Sequence, residues 1–324
     1  MISVLTNNLH RMWREKSRII LTFVLTAAAV AAAIFFSSQP YKAGNIALVS
    51  ENGQNGLSSP VLNITVLEQA PPLSELVRDR YDAVVAQAAD GSYVITTIKS
   101  DSFRVELEQI LADPAAEHTS SRPVRGPAAT ILGFITMFVM MEGVTLMFLF
   151  SDDKEKKQIE RVAASPISFS GYLCAHGLFT FLCIFLPTMG LLCLLSLFPG
   201  INIGLSLGIY ALLLGLLCAF SVAFSLFLNA LFIGSDAANM AGSATVVLTS
   251  MLAGGFYAFE HGNPLLERII QLLPQKTFFT LVERIERGAS SGEILPVLLY
   301  VATVTIVFFT AAVLKTRRDY VHSH

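Results

Sequence analysis

Two residues that could do chemistry stand inside strongly apolar stretches of this 324-residue chain: Glu142 within 128–150 and His176 within 172–198. A carboxylate in hydrocarbon costs on the order of several kcal/mol unless a partner or a hydrated cavity relieves it. Glu142 therefore reads either as a path-lining group for a cation or cationic substrate, or as a structural partner for another helix. His176 is a candidate for that partner. Elsewhere the catalytic vocabulary is missing. No G-x-x-x-x-G-K-[ST] loop occurs, so the chain holds no P-loop for ATP, and H-E-x-x-H and C-x-x-C are absent. The histidines (His10, His118, His176, His261, His322 and His324) are scattered. Cys174, Cys183, Cys193 and Cys218 all lie in apolar runs and read as small buried hydrophobes, not as a disulfide scaffold or a zinc site. The chain is expected to be no enzyme and to carry no catalytic residue, metal ligand or cofactor of its own.

The other chemically distinctive segment is charged. Residues 152–168 read Asp-Asp-Lys-Glu-Lys-Lys-Gln-Ile-Glu-Arg-Val-Ala-Ala-Ser-Pro-Ile-Ser. Asp152 and Asp153 favour a helix start and Pro166 ends or bends it. A short charged helix between two apolar runs can pass on a push from a soluble partner. Taken alone, it is equally an ordinary solvated loop.

The elements that must position these groups are membrane spans. The chain is 53% hydrophobic and only 14% charged, with mean hydropathy +0.61, whereas a soluble domain carries about 25% charged residues. The formal charge of −2 provides no basic field for nucleic acid. Six apolar runs are long enough, or nearly so, to cross a bilayer: 19–36, 128–150, 172–198, 205–233, 237–259 and 294–314. Of 22 basic and 24 acidic residues, only Glu142 falls inside a run. It lies about 12 Å in from the end of its run at 1.5 Å per residue. The predicted fold is mainly α, a polytopic six-helix membrane bundle. Basic residues flank it at Arg11, Arg14, Lys16 and Arg18, at Lys154, Lys156, Lys157 and Arg161, and at Lys315, Arg317 and Arg318. An even number of spans places all three groups on one face, which the positive-inside rule makes cytoplasmic. The candidate acids and histidines of a hydrolytic triad then fall on different sides. A signal-peptide reading of the first run is disfavoured by its long apolar core and by Phe35-Phe36 after the small residues. Pro187 is expected to kink the third span. Gly200, Gly204 and Gly208 suggest close helix packing.

Residues 1–18 form an interfacial amphipathic helix in this reading, with Ile2, Leu5, Leu9, Met12 and Trp13 near one face and Trp13 at headgroup depth. Residues 37–127 form a small extracytoplasmic α/β domain. Ile46–Val49, Leu62–Leu67, Ala83–Ala86 and Tyr93–Ile98 are strand-like, Asp90-Gly91 is a hairpin turn, and helices run over Leu73–Tyr81 and past Phe103, Leu107, Ile110 and Leu111. Residues 260–292, interrupted by Pro274, read as two short re-entrant helices on the same outer side. Residues 315–324 form a cytoplasmic tail.

From Glu155 to Ser168 the link resembles the cytoplasmic loop of ABC-2 type permeases, with an acidic-Lys start, Ile-Glu-Arg and Ser-Pro-x-Ser; Lys157-Gln158 stand where that family commonly has Gly-Thr. Ile46-Ala47-Leu48-Val49 and Tyr81-Asp82-Ala83-Val84-Val85 resemble strands of the subgroup with a large insert between the first two spans. Ala253-Gly254-Gly255-Phe256, Pro264 and Leu273-Pro274 are similar to its fifth-span end and re-entrant helices. The resemblance implies a permease subunit of an ATP-driven exporter in the cell membrane of a bacterium. A separate ABC ATPase subunit would bind Mg-ATP, and a second permease protomer, identical or different, would complete the transporter in the lipid bilayer. It also implies coupling to the ATPase through Glu155, Lys156, Glu160, Arg161, Ser165 and Pro166, with Glu142 and His176 the candidate translocation-path residues. Two other classes fit the composition. An ion-driven secondary transporter would want more buried ionisable groups than Glu142 and His176. A membrane sensor reading its external domain would want a cytoplasmic signalling domain, and only ten residues follow Leu314.

The orientation is directly testable. In a cysteine-free background, a single cysteine at Ser58 is expected to react with an impermeant thiol reagent in intact cells. Reaction only after permeabilisation would overturn the predicted topology.

Overall fold

The computed structural model describes residues 2–38, 44–50, 62–78, 80–87, 93–98, 101–112, 126–163, 168–198, 201–232, 234–254 and 264–321. The chain divides into two compact units.

The smaller unit, within 39–124, is an α/β domain as its alternating apolar pattern predicts. Strands β1 (Gly44–Val49), β2 (Leu62–Leu67), β3 (Ala83–Gln87) and β4 (Tyr93–Thr96) form one sheet in the order β2-β1-β3-β4. β1 runs parallel to both β2 and β3, and β3 pairs antiparallel with β4. Side chains alternate between the faces. Ile46, Leu48, Val85 and Ile95 belong to a core shared with Phe103, Leu107, Ile110 and Leu111 of α4 (Asp101–Ala112). Ala47 and Val84 share the other core with Leu76 of α3 (Leu73–Val77). The predicted strands and helical spacing are thus met, while the Asp90-Gly91 turn lies outside the described residues. Helix α3 stops four residues short of Tyr81. The following residues must reach the sheet margin, where the Asp82 backbone N–H donates to Asn45 O and the Asn45 N–H donates to the Asp82 carboxylate, both at 2.7 Å.

The larger unit is helical: α1 (Ile2–Arg14), α2 (Lys16–Ser38), α5 (Pro127–Leu146), α6 (Phe148–Glu155), α7 (Gln158–Ala163), α8 (Phe169–Ser196), α9 (Leu207–Leu231), α10 (Ser235–Leu252), α11 (Pro264–Gln271), α12 (Pro274–Glu286) and α13 (Ser291–Val321). Of the six predicted spans, those at 128–150, 172–198, 205–233 and 294–314 are matched by long apolar helices. Four helices among the described residues are long and apolar enough to cross a membrane: Pro127–Glu155, Phe169–Ser196, Leu207–Leu231 and Ser291–Tyr320. At the expected first span, α2 opens on Lys16, Ser17 and Arg18, and its apolar part, Thr22–Phe35, is shorter. At the expected fifth span, α10 is 18 residues long and diluted by Ser235, Asp236, Asn239, Ser243, Thr245, Thr249 and Ser250. α8 passes through Pro187 without ending, and α13 continues through the basic residues that were read as a tail.

Two sequence expectations about packing change. In α1, Met12 and Asn8 are buried, whereas Leu9 and Trp13 are exposed, so the helix presents a mixed polar and apolar face to its neighbours. The Gly200/Gly204/Gly208 repeat does not pack helices together. Gly200 lies outside the described residues, a Cβ on Gly208 would meet open space, and Gly204 is a turn residue at φ +79°. Close helix approach occurs instead at Gly143 of α5, where a Cβ would come within 2.1 Å of Ser221 Oγ on α9, and at Gly242 of α10, where it would come within 2.6 Å of Val144 Cγ1.

Gly204 also serves the start of α5. The first N–H groups of a helix have no partner within it, and the N-cap Gly126 has no side chain to provide one. Glu286 at the end of α12 accepts from the N–H groups of Ala128 and Ala129 at 2.8 and 2.9 Å. A Cβ on Gly204 would collide with that carboxylate at 2.5 Å. The Glu286→Ala variant is therefore expected to lose about 1–2 kcal/mol, the value of a helix cap, and to melt at lower temperature in detergent. An unchanged melting temperature would show that the cap is dispensable.

Candidate functional site

The segment that continues α5 is a polar junction. Five successive side chains of α6, from Ser151 to Glu155, reach four other helices. Ser151 Oγ donates to the Asn229 side-chain oxygen on α9. Asp152 lies 3.5 Å from the Arg11 guanidinium on α1. Asp153, buried, accepts from Arg11 at 2.6 Å and from the Tyr172 hydroxyl on α8, and lies 3.3 Å from His176 Nε2. Lys154 Nζ, also buried, donates to Asn229 O at 2.7 Å and Phe232 O at 2.6 Å, at the end of α9. Glu155 accepts from the N–H of Ser235 at 2.9 Å, at the start of α10.

His176 is 2% exposed and accepts the Asn8 amide N–H on Nδ1 at 3.2 Å. Its Nε2 faces Asp153. His176 is therefore not the partner of Glu142. Glu142, 3% exposed, instead accepts from the Thr26 hydroxyl of α2 at 2.5 Å. Among the described residues its Oε2 has no hydrogen-bond partner. The carboxyl borders a narrow crevice between α2, α5 and α8, lined also by Val30, Phe138 and Thr188.

Of the residues expected to couple to an ATPase, Glu155 is committed to the start of α10, and Lys156 pairs with Asp152 one turn back at 2.9 Å. Glu160 and Arg161 are exposed on α7 and hold no hydrogen bond or ion pair among the described residues. Ser165 and Pro166 lie outside the described residues. Ile159, fully buried, seats α7 in a core with Phe150, Tyr172, Leu173 and Ala312. Between α6 and α7 the chain turns at Lys157, which has φ +54°. Glycine adopts that left-handed conformation without strain, whereas a lysine does not.

The sequence reading takes 152–155 as part of a short charged helix and Arg11 only as a basic flank, and it assigns no role to Asn8, Tyr172 or Asn229. One signal was available. Ser221, Ser225 and Asn229 repeat at every fourth residue of α9, the spacing of one helix face. In the structure Ser221 Oγ donates to Val139 O at 2.8 Å, and Ser225 and Asn229 bond back along their own helix.

The family model described as ABC-2 family transporter protein matches residues 94–314, about two thirds of the chain. The chain belongs to the ABC-2 transporter family. Members are membrane transport components and not themselves catalytic, in keeping with four helices long and apolar enough to cross a membrane and with the missing P-loop. No curated protein matches the chain.

A left-handed lysine costs roughly 1–2 kcal/mol relative to a right-handed one, and glycine removes that strain at some expense in unfolded-state entropy. Lys157→Gly is expected to stabilise the protein by up to about 1 kcal/mol and to raise its melting temperature in detergent. A clear fall would mean that the Lys157 side chain contributes more than its backbone strain costs.

Proposed function

We propose that this ABC-2 family member is the permease subunit of an ATP-binding-cassette exporter. Two permease protomers, identical or different, form the path, and a separate ATPase subunit binds and hydrolyses Mg-ATP. The observation that carries the reading is the division of the α6–α7 segment. Its buried side hydrogen-bonds to four helices, while its outer side offers Lys156, Lys157, Glu160 and Arg161 to a soluble partner. Ser165-Pro166 continue that docking surface in the proposal.

In this reading α2 and α10 complete six crossings. Both termini and the α6–α7 segment are cytoplasmic, the α/β unit and the α11–α12 pair face outward, and α11–α12 dip into the outer leaflet. The membrane is the cell membrane of a bacterium. The α/β insert between α2 and α5 places the chain in the subgroup with a large extracytoplasmic domain. Glu142 is the path residue we favour, because among the described residues one of its buried oxygens has no partner, beside a crevice between three helices. His176, held between Asn8 and Asp153, acts as a structural residue.

The charge-reversed pair Glu160→Lys and Arg161→Glu tests the docking surface. Both side chains are exposed, and among the described residues neither holds a hydrogen bond or ion pair, so stability should change by no more than about 0.5 kcal/mol. With the partner ATPase present, transport and transport-linked ATP hydrolysis should fall about tenfold, equivalent to losing roughly 1.4 kcal/mol of interface energy. Wild-type transport by the double variant would make α7 an ordinary solvated turn.

A further inference from the structure

Lys154 and Glu155 are adjacent in sequence, opposite in charge, and bound to the two helix ends that meet at the α9–α10 turn. The C-terminal end of a helix carries partial negative charge and unpaired carbonyls, and the N-terminal end carries partial positive charge and unpaired N–H groups. Each side chain meets the end that its charge suits. Lys154 Nζ donates to Asn229 O and Phe232 O at the close of α9. The Glu155 carboxylate accepts from Ser235 N at the opening of α10. Neither end has a cap of its own. Phe232 follows α9 in an extended conformation, and Gly234 precedes α10 without a side chain. The Phe232 N–H is already spent on Leu228 O. Lys154 also lies 5.9 Å over the ring of Phe150, which is itself fully buried. The grip therefore rests on a fixed helix and not on a loose surface chain.

We infer that Lys154 and Glu155 are positioning residues that carry displacement of the α6–α7 segment into the α9–α10 turn. The inference rests on the reading of this chain as a permease driven through α7. It adds the route beyond that contact. A move of α6 cannot leave the α9–α10 turn behind without unpairing the buried Asn229 carbonyl, the part-buried Phe232 carbonyl and the Ser235 N–H. Loss of such partners is costly away from water. The route runs through charge-matched helix ends, so the sign of each side chain is what matters. Arginine should replace Lys154, whereas an apolar side chain of similar length should not.

The test uses the full chain, with its four native cysteines replaced by alanine, reconstituted with its partner ATPase. A nitroxide at Ala237→Cys, exposed at the start of α10, reports motion of the turn. A second, separately prepared label at Gln158→Cys, partly exposed at the start of α7 and not among the proposed contact residues, reports motion of α7. Mg-ATP with vanadate traps the driven state. In the parent chain both labels are expected to change their spectra on trapping. In Lys154→Met the α7 label should still respond, ATPase co-elution should persist, the α10 response should disappear, and substrate moved per ATP should fall at least fivefold. Lys154→Arg should restore the α10 response. A full α10 response with normal coupling in Lys154→Met would overturn the inference. Equal loss of ATPase binding would also overturn it, because Lys154 would then belong to docking and not to transmission. Where Lys154→Met fails to assemble, Glu155→Gln, whose carboxylate is exposed, carries the same comparison. A silent α7 label in the parent chain would instead overturn the permease-docking reading itself.

Discussion

A helix that ends where water is scarce must still find partners for its terminal N–H and C=O groups. Much of the architecture of the helical unit answers that requirement. α5 begins on a glycine and a proline, which give it no side-chain cap, and the Glu286 carboxylate of α12 does that work from a distance. α9 ends on Leu231 and α10 begins after Gly234, and α6 provides a lysine for one and a glutamate for the other. α9 meets α5 through Ser221 on the Val139 carbonyl, next to a glycine that admits the approach. These contacts join residues far apart in sequence.

The same requirement explains why the charged link is only partly a surface. A helix bearing Asp, Asp, Lys and Glu looks solvated when read by composition alone. In the bundle, Asp153 instead gathers Arg11, Tyr172 and His176 from two helices. Burying a carboxylate is unfavourable unless it is paired and hydrogen-bonded, and Asp153 meets both conditions. α1 is tied to the same point through Arg11, and Asn8 supports His176 from behind. The amphipathic N-terminal helix is thus a bundle element with one exposed apolar edge, formed by Leu9 and Trp13. Beyond this knot, Ile159 keeps α7 seated, and Glu160 and Arg161 remain outward.

The membrane class, the family and the α/β unit were legible because each depends on local pattern. Apolar runs, the scarcity of charge and the alternation of Ile46–Val49 and Ala83–Ala86 are properties of short windows. The glycine repeat misled because periodicity does not reveal whether residues lie in a helix. Gly204 sits in a turn, and the glycines that admit close approach, Gly143 and Gly242, belong to no repeat. The first and fifth runs give the weakest span signals because length and polarity trade off near the threshold, as α10 illustrates.

What the amino-acid order determines by itself here is the apolar runs from which the membrane helices are drawn, the strands of the small unit, and the presence of a charged segment between two apolar runs. Hydrophobic transfer and backbone geometry act residue by residue, so a window of the chain contains the answer. What only the tertiary structure decides is the partner of each buried polar group: Thr26 for Glu142, Asn8 and Asp153 for His176, the end of α9 for Lys154. Those pairings depend on how each helix is rotated about its axis and on which neighbour it meets. That rotation is settled by the packing of all the helices together, and no single stretch of sequence encodes it.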